Sequence, residues 1–230
     1  MTLNEYIEHA MSNPTAFSIP IGNFRLDIPQ TTVSQWIVMA VLILLAFILT
    51  RNLKVVPTKK QALLESFLEM IYNLFYGVLG EHGKRYIPYL MTLIMFLGAS
   101  NILGLFHVAP PTKNINVTAA LAIMSIILIQ YAAIKARGVG GWLKHFSHPA
   151  KIVTPLNVME LVIKPFSLCM RLFGNILGAY IVMELIIYCV PVGVPAVFSL
   201  YFDIFDGLLQ AYIFCFLTSL YISEAIEIEE

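Results

Sequence analysis

The chain has 230 residues, 59% of them hydrophobic and only 12% charged, and a mean hydropathy of +0.80. That composition excludes an ordinary soluble globule and describes an all-α membrane protein with several spans. Its 14 basic and 14 acidic residues balance, so no nucleic-acid partner is implied, and Cys169, Cys189 and Cys215 lie in apolar runs without the spacing of a disulfide frame or zinc site.

Residues 1–32 read as an outer, non-spanning lead, with Pro14, Pro20 and Pro29 as breakers. Met1 to Ala10 carries Glu5 and Glu8 and no basic region, so no cleavable signal peptide is expected, and the first apolar segment serves for insertion. That segment, 33–50, is the first spanning helix and ends in Arg51, Lys54, Lys59 and Lys60. Over 58–80, Leu64, Phe67, Leu68, Ile71, Leu74, Phe75 and Val78 recur at helical spacing between polar residues. This amphipathic pattern serves a helix lying along the membrane interface and equally a loop helix packed on a partner.

A helical hairpin comes next over 88–135, its turn at Ala109-Pro-Pro-Thr112. The loop beyond it is loosened by Gly138, Gly140 and Gly141 and bounded by Pro149 and Pro155. Residues 156–226 then form two long helices around a reversal at Pro191-Val-Gly-Val-Pro195. A helix of about 30 residues is ~45 Å long, against a bilayer core of ~30 Å, so each must tilt, bend or protrude. All of this forms a single integral membrane domain.

Charge orients the chain. Arg51, Lys54, Lys59, Lys60, Lys84, Arg85, Lys135, Arg137, Lys144 and Lys151 fall on one side, and only Arg25 and Lys113 on the other. The positive-inside rule places the N-terminus outside and the C-terminus in the cytoplasm.

Arg171 stands in the middle of the first long helix, too far from either end to snorkel easily. An arginine at bilayer depth costs about 2.5–3.5 kcal/mol on insertion scales. It therefore marks an ion pathway by default, with a structural buried pair as the alternative. At ~100° per residue, Glu160, Lys164, Arg171, Asn175 and Gly178 fall within roughly 40° of one direction. Gly174 thins the flank of that face and lets another helix approach closely. Glu160 and Lys164, four residues apart, also read as a plain surface ion pair. On the last helix Ser199, Asp203, Asp206 and Gln210 share a face, and Tyr180 and Glu184 point away from Arg171 towards a separate cavity. Three outer acids, Glu184, Asp203 and Asp206, argue for a wet pocket, since a lone carboxylate in lipid neutralises or pairs. The pattern describes two half-channels, one acid-rich and outer, one inner near Glu160 and Lys164, separated by a fixed positive charge.

The run Arg171-Leu-Phe-Gly-Asn175, preceded by Lys164-Pro-Phe-Ser167-Leu and followed by Gln210-Ala-Tyr-Ile-Phe, closely resembles subunit a of F-type ATP synthases. The resemblance runs from residue 33 to the C-terminus and includes the Asn101-Ile-Leu-Gly104-Leu turn. It implies that Arg171, Gly174, Asn175 and Gly178 face the ring of c subunits, that Asn175 and Gln210 sit near the arginine, and that Asn101 belongs to the ion path. It implies long helices tilted almost along the membrane plane. The partners it implies are the c-ring, the b-subunit peripheral stalk and the rest of the F1Fo complex, and it implies no cofactor. Many bacterial relatives carry a glutamate nine residues after the arginine and a histidine seven before the glutamine, where this chain has Tyr180 and Asp203. The outer half-channel is therefore expected to be rewired around Glu184, Asp203 and Asp206. The Lys-Pro before the arginine and the short lead point to a bacterial cytoplasmic membrane rather than an organelle's inner membrane.

Two other classes compete. A stand-alone ion-coupled secondary transporter would favour internal repeats with paired broken helices, and none is found. An intramembrane enzyme would need a nucleophile–base pair or metal ligands at depth. His145 and His148 have metal-like spacing but sit in a loop beside Pro149, so no metal is expected. No G-x-x-x-x-G-K-[ST] loop is present, so nucleotide catalysis is not expected of this chain. Proton and sodium coupling stay open.

Overall fold

The computed structural model describes residues 15–21, 24–51, 53–106, 110–146, 154–190 and 193–227. The lead, expected to be non-spanning, contains an antiparallel hairpin of β1 (Thr15–Ile21) and β2 (Phe24–Pro29). Phe17, Ile19 and Ile21 alternate along β1, and Phe24, Leu26 and Ile28 along β2, which is the period-two signal of a strand. Pro20 is tolerated because a two-stranded sheet has only edges, where a missing N–H breaks no second ladder.

Most of the other described residues are helical. α1 is Gln30–Thr50 and α2 is Lys59–Gly83, kinked at Gly80 with φ 60°. A short 3-10 turn, Lys84–Tyr86, leads into α3, Ile87–Ile102, and further 3-10 turns span Leu103–Phe106 and Pro111–Lys113. α4 runs Ile115–Phe146. The expected loop after residue 135 is helical as far as 146, because Gly138 takes φ 70° and turns the chain without stopping it. Only glycine adopts that left-handed conformation at little cost. α5 is Thr154–Cys189, with Pro165 inside it. The last long helix is three pieces in succession: α6 (Val194–Ser199), a π-helical turn (Leu200–Asp206) and α7 (Gly207–Ile226).

Among the described residues, five helical stretches are long and apolar enough to cross a membrane: Gln30–Thr50, Lys59–Ile102, Ile115–Trp142, Met159–Cys189 and Val197–Ile226. Large apolar side chains such as Trp36, Ile43, Phe47, Val162 and Phe166 are exposed, as lipid-facing surfaces require.

The chain divides into two compact units. The first is built from Met1–Arg51, Met95–Thr118 and Leu172–Ala211, the second from Asn52–Ile94, Ala119–Arg171 and Tyr212–Glu230. The second has a largely apolar core of Phe75, Ile87, Leu90, Leu168, Phe214 and Ile222. The first buries an unusual share of polar groups beside Val38, Leu97 and Leu172: Thr31, Ser34, Asn101, Thr112, Lys113, Asn114 and Gln210. Buried polar groups are costly unless hydrogen-bonded, so these side chains need partners.

Candidate functional site

In the first unit a cavity of about 120 Å³ is lined by Asn101, Gly104, Pro110, Ile176, Tyr180, Glu184, Ser199, Phe202, Asp206 and Gly207, among others. That is room for a few waters. Tyr180 and Glu184 stand one turn apart on α5, so both reach the same side. Asp206 closes the π-helical turn. A π turn carries an extra residue and so shifts the phase of the helix after it. This explains a departure from the expected shared face: Ser199 and Asp206 line the cavity, whereas Gln210 leaves it for a different partner.

The cavity roof is fixed by a chain of hydrogen bonds. Asn101 Nδ2 donates to the Gly207 carbonyl at 2.7 Å, and Thr112 Oγ1 donates to Asn101 Oδ1 at 3.1 Å. Asn114 Nδ2 donates to Thr31 Oγ1 at 3.2 Å. Gly207 is required for this approach, because a Cβ there would lie 2.9 Å from the Asn101 Cβ. The network clamps the Pro111–Lys113 turn and buries Lys113, which is 5% exposed. The Lys113 ammonium lies 3.9 Å from the centroid of the Tyr180 ring, a cation–π contact. Burial pushes the Lys113 amine below its ordinary range, and the negative charge of Glu184 partly offsets that.

Gln210, 1% exposed, accepts a hydrogen bond at Oε1 from Asn175 Nδ2 at 2.6 Å. Among the described residues its Nε2 has no partner.

The second unit holds a different constellation. Lys164 Nζ is 3.2 Å from Glu160 Oε2 and 3.0 Å from both carboxylate oxygens of Glu224, and lies over the Tyr221 ring. Arg137 Nη2 donates to the Glu224 carbonyl at 3.2 Å and also to the Glu227 carbonyl. Arg137, Glu160, Lys164, Tyr221 and Glu224, with Gln130 and Trp142, line a cavity of about 90 Å³. Glu160 and Lys164 are thus more than a pair on one helix: the lysine is shared by two acids. Glu160 and Glu224 are exposed, so the bridges contribute little stability.

Arg171 is exposed, and among the described residues its side chain forms no hydrogen bond or ion pair. A structural ion pair is therefore not seen there among the described residues. Gly174, Asn175 and Gly178 on the following turns are exposed too, and a Cβ built at either glycine would meet no atom within 4 Å. The face is open to close approach. The side chains of Asp203, His145 and His148 lie outside the described residues.

Sequence reasoning misses Lys113, Glu224 and Arg137 as site residues. Lys113 has one signal, its isolation from the basic loops; Glu224 reads only as part of an acidic tail.

A family model described as "ATP synthase A chain" matches residues 32–223. ATP synthase subunit a from Moorella thermoacetica is 37% identical over 208 residues, covering 89% of this chain and 95% of the relative. The protein named ATP synthase subunit a, sodium ion specific, from Propionigenium modestum is 32% identical over 229 residues, covering 93% of this chain and 79% of the relative. ATP synthase subunit a 2 from a Bradyrhizobium species is 34% identical over 216 residues, covering 94% and 96%. With five apolar helices and this match over most of its length, the chain is a multi-pass membrane protein that belongs to the ATP synthase subunit a family.

Proposed function

We propose that this chain is the stator subunit through which ions reach and leave the c-ring of an F1Fo ATP synthase, held beside the ring by the b-subunit stalk. The observation that carries the proposal is Arg171: a permanently charged group on an open, glycine-bearing face, with no partner among the described residues of its own chain. Such a charge at bilayer depth requires a partner, and a ring carboxylate supplies one.

On this reading an ion enters the cavity of Tyr180, Glu184 and Asp206 and neutralises a ring carboxylate; Asp203 is proposed as a further acid of this entry path. Neutral, the carboxylate can enter lipid, and the ring turns. Coming round, it meets the cavity of Glu160, Lys164 and Glu224 and gives up its ion. The guanidinium, charged at any working pH, then attracts the bare carboxylate and blocks direct passage between the cavities. At an effective dielectric of ~20, a unit pair ~4 Å apart interacts by ~4 kcal/mol, enough to hold the carboxylate briefly. Asn175 and Gln210 fix the adjoining surface. Rotation links ion flow to ATP chemistry elsewhere in the complex, and this chain performs no chemistry on nucleotides. The basic residues orient it with the N-terminus outside a bacterial cytoplasmic membrane. A 36-residue α5, about 54 Å long at ~1.5 Å per residue, supports a strongly tilted placement.

The ring-facing assignment is tested by disulfide trapping in the intact complex. Gly174→Cys or Gly178→Cys is combined with cysteines scanned along the carboxylate-bearing helix of the c subunit. Oxidation should give adducts between the two subunits. No adduct at any register, in complexes that retain ring and ATPase, would remove α5 from the ring interface.

A further inference from the structure

Arg137 lines the inner cavity but has no task in the proposed path. It belongs to α4, one position before the kink at Gly138, where φ is 70°. In a straight helix Gln130 and Trp142 would stand ~18 Å apart along the axis at ~1.5 Å per residue. Here Trp142 Nε1 donates to Gln130 Oε1 at 2.9 Å, so the kink folds the end of α4 back and leaves Arg137 half-buried. From there Arg137 Nη2 donates to the Glu224 carbonyl at 3.2 Å and to the Glu227 carbonyl. Carbonyls at the end of α7 lack partners within the helix and carry the negative end of its dipole, which a fixed cation complements.

The residue whose carbonyl is held also carries the carboxylate that Lys164 binds. Both oxygens of Glu224 lie 3.0 Å from Lys164 Nζ, and Glu160 Oε2 lies 3.2 Å from it. The two acids are 61% and 55% exposed. Ion pairs so exposed contribute little on their own, and holding two long side chains together costs entropy. A fraying last helical turn would not keep Glu224 on the lysine. Arg137 removes that freedom, because its guanidinium stays charged and its planar fork presets its N–H directions. We propose that Arg137 is a positioning residue of the inner cavity: by clasping the end of α7 it holds the Glu224 carboxylate on Lys164, and the charge so arranged sets how readily the ring gives up its ion on that side. This rests on the reading of the chain as the ion-conducting stator. Lys164 lies seven residues before Arg171 on α5, ~10.5 Å along the axis. Once Glu224 leaves, Lys164 keeps Glu160 alone, and its less compensated charge favours the ionised ring carboxylate. The ion then leaves against a higher inner concentration, and the carboxylate is held longer. Among the described residues, the charged and titratable groups of the cavity are Arg137 on α4, Glu160 and Lys164 on α5, and Tyr221 and Glu224 on α7.

The test uses the intact complex in sealed vesicles with F1 facing outwards. The lumen is kept constant, and ATP synthesis is followed against the external concentration of whichever ion, proton or sodium, drives wild type. The pH dependence of F1 is common to all variants and cancels in ratios to wild type. Arg137→Lys keeps the charge but loses the fork; Glu224→Gln loses the charge on Lys164. Each should lower synthesis at least threefold and displace the profile to higher external ion concentration, and combining the two should add nothing to Glu224→Gln alone. Ser223 Oγ donates to the Val78 carbonyl at 3.0 Å, a second tie of the same helix end. Ser223→Ala loosens that end without touching the clasp and should keep the wild-type profile. A wild-type profile in Arg137→Lys, additive losses in the double variant, or an equal displacement in Ser223→Ala would overturn the inference. Glu224→Gln leaves the clasp intact, since Arg137 holds the carbonyl, so a wild-type profile there would overturn it even where an Arg137 variant failed to fold. No synthesis by wild type under either a proton or a sodium gradient would contradict the stator reading itself.

Discussion

At the scale of single residues, the amide pair Asn175–Gln210 shows how a polar group can be held in a membrane protein without charge. Gln210 is buried, and Asn175 donates to its oxygen at 2.6 Å. Leaving a buried amide unsatisfied costs about 1–3 kcal/mol, and this one already has an Nε2 without a partner among the described residues. Asn175→Ala should therefore destabilise the protein by about that amount, read as a lower thermal midpoint of the purified complex. Asn175→Asp keeps an acceptor but removes the donor, so the same loss is expected; an unchanged midpoint for both would show the bond to be unimportant. Which residues matter is legible where context is extreme. Arg171 stands out as a lone charge in an apolar run, and Asn175 by lying one turn on. Lys113 is not legible, because its burial depends on Thr31, Asn101 and Gly207, the first 82 and the last 94 positions away, and no local pattern links them.

At the scale of elements, the long apolar runs fix the helices, since in lipid a spanning backbone must satisfy its own hydrogen bonds. Their ends and internal breaks are less legible. The β1–β2 hairpin is hidden by its prolines, and α4 continues past residue 135 through a glycine that resembles a terminator. The π-helical turn at Leu200–Asp206 escapes any reading that assumes a constant ~100° per residue. It is this turn that separates Asp206, in the cavity, from Gln210, on Asn175. The junction depends on Gly207. A methyl group there lies 2.9 Å from the Asn101 Cβ, so Gly207→Ala must displace the side chain that ties the roof to α7. Overpacking of this kind costs about 1–3 kcal/mol. Gly207→Ala should lower thermal stability by that amount and slow ATP synthesis with it. A variant as stable and active as wild type would show that the Asn101 network does not shape the cavity.

At the scale of the whole molecule, charge is placed where lipid disfavours it. Glu184 and Asp206 share one cavity with Lys113 nearby, and Lys164 is shared by Glu160 and Glu224 in another. Arg171 has no such counterpart among the described residues of the chain. The residues of both cavities are partly legible because helical spacing gathers them on faces. The tertiary partners Lys113, Arg137 and Glu224 are not, because no local period connects them. The most direct measurement compares ATP synthesis with passive ion flux in vesicles holding the intact complex, for wild type, Arg171→Lys and Arg171→Ala. Lysine keeps the charge but loses the planar fork and its reach, so synthesis should be lost in Arg171→Lys. In Arg171→Ala synthesis should be lost while ions leak through the membrane sector, because ring carboxylates can then shuttle ions between the cavities without net rotation. Near-normal synthesis in Arg171→Ala would contradict the account at its centre.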